Sequence, residues 1–98
     1  MAKQSYKKLK LTKGVKASIA QLFTENNITL PAGDVLFELQ NATTQGLIYV
    51  SFGDQAALSD YDGSPLPSYW AREETEELAN VFVQTGNKEA FINITVMG

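Results

Sequence analysis

"VLFELQNATTQGLIYVSFG", residues 35–53, sets two alternating runs on either side of a short polar segment, and its reading decides the fold. Val35, Phe37 and Leu39 alternate with Leu36, Glu38 and Gln40, the period of two that a half-buried strand requires. In the second run Ile48, Val50 and Phe52 share one side and Leu47, Tyr49 and Ser51 the other, the first set being the better core face. The connection "TTQG" between the runs predicts an antiparallel hairpin. Gly53 then opens a segment reaching to Pro67 that carries Asp54, Asp60, Asp62, Gly63 and Pro65 and no apolar period. Connections longer than about 12 residues are usually binding or assembly segments, or else disordered.

Working outward, "ANVFVQ", "TGNKE" and "AFINITVMG" predict a second hairpin, with Ile92, Ile94 and Val96 opposing Phe91, Asn93 and Thr95. Residues 1–5 are expected to be disordered, and "YKKLKL" then reads as a short strand whose lysines protect an edge. Its alternation sets Tyr6, Lys8 and Lys10 against Lys7, Leu9 and Leu11. "VKASIAQLF" places Val15, Ala17, Ile19, Gln21 and Phe23 on one face at period two; a helix competes, because Ala, Gln and Leu favour it. "SYWAREETEELAN" is open between a strand and one short helix near residues 70–79, for which Ser68 is the candidate cap. The expected class is all-β, a small antiparallel β-sandwich or jelly-roll-like barrel of five to seven strands. The expected division is a basic N-terminal arm, residues 1–13, and a single β-sandwich domain, residues 14–98.

The 98 residues suit one domain with a modest core. Cysteine and histidine are both absent, which removes disulfides, thiolate metal sites, the commonest general base and the commonest metal ligand. No enzyme activity and no cofactor or metal is therefore expected. The apolar runs are far shorter than the roughly 20 residues of a membrane span, and the start lacks the apolar core of a signal peptide. Synthesis in a cytoplasm and no membrane partner are expected. The net charge of −3 hides a division. Residues 1–16 hold six lysines and no acid, whereas residues 17–98 hold two cations against eleven acids.

Each motif has a plain alternative. "DYDGS", residues 60–64, has two aspartates before a glycine, but lacks the further ligands of a calcium loop in register, and an Asp-rich turn is the better reading. Glu73, Glu74, Glu76 and Glu77 make a solvated acidic face or a dock for a basic neighbour; carboxylates adjacent in sequence seldom face each other across a cleft. Tyr61, Tyr69 and Trp70 flank the loop and suit an interface, a sugar-stacking platform or the core. Lys7, Lys8, Lys10 and Lys13 are the cations of the arm, and the acidic body disfavours nucleic acid as their partner. The sequons at Asn27, Asn41 and Asn93 read as turn and strand chemistry.

The order "LPAGD", "VLFELQNAT", "GLIYVSFGD", a loop, "SYWAREE" and "ANVFVQTGNKEAFINITV" resembles the small β-sandwich virion proteins of tailed bacteriophages, the head decoration, cement or fibre components, over residues 15–97. The loop "QAALSDYDGSPLPSYW" departs from that layout. The resemblance implies a non-enzymatic virion protein on the capsid surface that self-associates, with a trimer favoured, and binds the major capsid protein. Its interface would use the Lys7, Lys8, Lys10 and Lys13 arm, an acidic dock at Glu73, Glu74, Glu76 and Glu77, and the loop aromatics Tyr61, Tyr69 and Trp70. The alternative is a carbohydrate- or receptor-binding β-sandwich module of a tail or head fibre.

Overall fold

A computed structural model describes residues 3–44, 46–53, 64–86 and 89–97. Eight strands run in the order β1 (Gln4–Leu11), β2 (Ala17–Ser18), β3 (Asp34–Asn41), β4 (Ile48–Phe52), β5 (Ser64–Leu66), β6 (Ala71–Glu77), β7 (Val81–Thr85) and β8 (Ala90–Val96). Among the described residues a helix, α1 (Ile19–Glu25), follows β2, and a 3-10 turn, Leu78–Asn80, precedes β7. Two antiparallel four-stranded sheets form, ordered β1-β8-β3-β6 and β2-β7-β4-β5. The molecule is thus a small all-β sandwich.

The pairing is nested. Strand β1 pairs with β8, β2 with β7, β3 with β6 and β4 with β5, as if one long hairpin with its tip between β4 and β5 had been rolled into two layers. That connectivity is the jelly roll. It corrects both expected hairpins. Strands β3 and β4 lie in different sheets, as do β7 and β8, so "TTQG" and "TGNKE" join the layers and do not turn strands back on their neighbours. The expected core faces hold nonetheless. Ile48 and Val50 on β4 and Ile92, Ile94 and Val96 on β8 are buried, while Phe52 packs half-buried against the same core. On β3 the buried apolar residues are Val35, Phe37 and Leu39.

Segment 15–23 departs from its strand reading, and segment 70–79, open between strand and helix in the sequence, is decided. Only Ala17 and Ser18 of the first are strand; Ser18 then caps α1, its Oγ accepting from the Gln21 N–H at 3.0 Å. The residues α1 buries, Ile19, Leu22 and Phe23, stand at helical spacing, and Ile19 and Phe23 also satisfy a period of two, which is why the strand reading was available. Residues 71–77 are strand β6 rather than a helix, paired with β3 at every position from Asp34–Glu77 to Gln40–Ala71. A sheet edge supplied by β3 outweighs the helical preference of Glu, Arg and Ala.

Residues 4–11 are an edge strand of the sandwich and not an arm apart from it, since Leu9 and Leu11 enter the core. A bulge shifts the register between Tyr6 and Leu9, with Lys8 at φ 57° and its N–H donating to Asn93 Oδ1 at 2.8 Å. The extra residue carries Tyr6 to the side of Leu9 and Leu11, correcting the simple alternation. Its ring meets Phe23 of α1 edge-on, centroids 5.2 Å apart.

The first corner between the layers is tied by Asn41, which is fully buried. Its Nδ2 donates to Leu66 O at 2.8 Å and Gly46 O at 3.1 Å, and its Oδ1 accepts from the Thr43 N–H at 2.9 Å. Gly46 takes φ 114°, a backbone state that a side chain would resist. Replacing Asn41 by Ala removes the side-chain donor to the Leu66 carbonyl and should cost about 1–3 kcal/mol of stability. Asn41→Asp should cost at least as much, because an acceptor then faces two carbonyls. Urea unfolding monitored by circular dichroism measures both, and a loss under about 1 kcal/mol would show that the corner does not depend on this side chain.

Candidate interaction surfaces

The backbone between β5 and β6 is pinned to the Asn41 corner. Tyr69 donates its N–H to Asn41 O at 2.7 Å, Trp70 O accepts from the Asn41 N–H at 3.0 Å, and the Trp70 N–H donates to Pro67 O at 3.0 Å. Gln40 Nε2 adds a bond to Tyr69 O at 3.2 Å. These contacts hold Tyr69 at φ 64°, an uncommon state for a bulky residue that persists where the surroundings fix it. The tethered turn displays its side chains: Tyr69 is 59% and Trp70 66% exposed. The core reading of this pair is therefore excluded. Tyr61 lies outside the described residues.

Leu47, half-exposed, follows Gly46, whose carbonyl also accepts from Ser68 Oγ at 3.4 Å, so an aliphatic side chain stands at the same end as the aromatic pair. Sequence reading found Tyr69 and Trp70 but missed Leu47, because it is the β4–β5 pairing and the corner bonds that bring residues 46–47 beside residues 67–70. The composition near Trp70 gave no such signal.

The charged groups separate along one sheet. β1, with exposed Lys7, Lys8 and Lys10, is one edge of the sheet β1-β8-β3-β6, and β6, with Glu73, Glu74, Glu76 and Glu77, is the other. Lys13 is exposed on the turn that follows β1. The lysines and glutamates sequence reading paired as arm and dock are thus set apart within one chain. Glu73 and Glu77 are on the outer face, directly opposite Glu38 and Asp34 of β3, two carboxylates that sequence reading did not associate with them. Glu74 and Glu76 are half-buried on the inner face with Arg72, which pairs with Glu74 and sets its guanidinium 5.4 Å from the Phe52 ring centroid. Lys10 pairs with Glu89 at 2.6 Å, both side chains more than half exposed, and such a pair contributes only about 0–1 kcal/mol.

No group of three or more His, Cys, Asp or Glu among the described residues is placed to hold a metal ion. No helix among them is long and apolar enough to cross a membrane. Comparison with known proteins finds no matching family model, no matching curated protein and no matching solved structure.

Since the Tyr69 and Trp70 side chains project into solvent and the turn is held through its backbone, Tyr69→Ala and Trp70→Ala should each change stability by less than about 0.5 kcal/mol. Thermal unfolding of the two variants checks this; a drop of several degrees in Tm would assign the rings a structural role.

Proposed function

We propose that this chain is a non-enzymatic structural protein of a bacteriophage virion, a capsid decoration or cement protein that self-associates and binds the major capsid protein. The observation that carries the reading is the exposed aromatic pair on a turn fixed by the Asn41 corner. Aromatic side chains on a pre-formed surface are effective anchors, because little freedom is lost when a partner covers them. The jelly roll agrees with it, as an architecture that serves viral capsid domains, although an architecture by itself does not assign a role. The protein acts by complementary surfaces on the capsid exterior after synthesis in the host cytoplasm. Trimeric self-association would multiply modest single contacts into stable attachment.

Lectin domains share the architecture, and Tyr69 and Trp70 are equally placed to stack on a sugar ring. The second reading is therefore a carbohydrate- or receptor-binding module of a fibre.

Two measurements decide between them. Purified virions of the source should contain the protein in fixed ratio to the major capsid protein, and the Trp70→Ala chain should bind particles lacking the native protein at least about tenfold more weakly. Absence from virions would sink the proposal. Saturable, Trp70-dependent binding on a glycan array, without binding to capsid shells, would replace it with the second reading.

A further inference from the structure

We propose that copies of this chain join head to tail through the two edges of one sheet, the lysine-bearing β1 of one copy pairing with the glutamate-bearing β6 of the next. This rests on the self-association reading above and specifies its surface. Both strands end the sheet β1-β8-β3-β6, so each has one row of backbone N–H and C=O groups that this sheet leaves unpaired. Such rows template pairing with another strand.

Direction permits the unlike pair. The four strands alternate, β1 antiparallel to β8, β8 to β3 and β3 to β6. A second copy set beside β6 in the same orientation brings up its own β1 antiparallel, continuing the alternation with both second sheets on one side. Side-chain placement agrees. Lys10 pairs across to Phe91 on the outer face, the face that also carries Glu73 and Glu77, so the joined edges bring Lys10 toward glutamates on a shared surface.

Charge selects against the alternatives. Two β1 edges would oppose Lys7, Lys8 and Lys10 with themselves, and two β6 edges would do the same with four glutamates. Like charges at close range disfavour both, leaving the unlike combination. The Lys7–Lys8 bulge interrupts the β1 edge, twice over where β1 meets β1 and once where it meets β6, while β6 pairs with β3 over its full length without a bulge and offers a regular edge. A head-to-tail contact uses different patches on the two copies, so the assembly is a ring if the rotation closes and a filament if it does not.

The test uses the full chain and two exposed charge reversals, K7E with K8E on β1 and E73K with E77K on β6. Light scattering after size exclusion gives the mass, and circular dichroism with thermal unfolding verifies the fold of each variant. The native chain should associate at low salt and fall apart toward about 1 M salt, where the screening length is near 3 Å. Each folded variant alone should associate at least about tenfold more weakly than the native chain. Mixed, the two should recover association as an alternating assembly, because every edge again meets its opposite. Rings of odd number cannot alternate, so a native trimer should give way to even or open species in the mixture. A native chain that associates equally well with either pair reversed would overturn the edge contact and leave self-association standing. A native chain that stays monomeric at every concentration and salt would overturn both.

Discussion

The amide of Asn41 is the point at which the two layers of this molecule become one. It sits where β3 leaves its sheet, and its two donated bonds reach the end of the connection into β4 and the end of β5. Its backbone holds the turn that leads into β6. Two stretches of the chain, residues 41–46 and 66–70, thus converge on one buried residue. A hydrophobic residue would fill the space but satisfy none of these carbonyls, and a buried carbonyl without a donor is costly. Among the described residues no buried side-chain nitrogen or oxygen lacks a partner.

That corner explains what could and could not be read from the chain. Alternation reports which side of a strand faces inward, and Ile48, Val50, Ile92 and Ile94 were legible for that reason. It carries no information about the partner. The glycines and polar residues of "TTQG" and "TGNKE" suit a hairpin and a layer crossing equally well, since both need a change of direction. Nearest-neighbour pairing is the commoner outcome, and here the nested pairing takes its place. The helix and β6 were obscured by the converse effect. Ser18, Ile19, Leu22 and Phe23 fit a helix but overlap a period of two, while the glutamates of β6 give no apolar alternation at all and become strand through β3.

The functional surfaces were legible as residue types and not as geometry. Six lysines at one end and four glutamates near residue 75 are plain in the sequence, and so are Tyr69 and Trp70. Their arrangement depends on strand order. Only the order β1-β8-β3-β6 reveals that the lysines and glutamates occupy opposite ends of one sheet, and only the register reveals that Glu73 and Glu77 meet Glu38 and Asp34.

Those facing carboxylates bear on what the β6 edge is for. Like charges directly opposite each other in a sheet work against the pairing, and here two such pairs lie within one seven-residue ladder. The ladder forms because Val35, Phe37 and Leu39 drive β3 into the core and β6 completes its hydrogen bonds. Arg72 relieves the inner face, where it pairs with Glu74, but no ion pair among the described residues relieves Glu38, Glu73, Glu77 or Asp34. The fold therefore tolerates an excess of negative charge at this edge while keeping an excess of positive charge at the other. Edges protected only against aggregation need no such division, because lysines on both would serve. Opposite signs instead leave one pairing between copies attractive while making the two self-pairings repulsive, which gives an otherwise sticky architecture a single preferred contact.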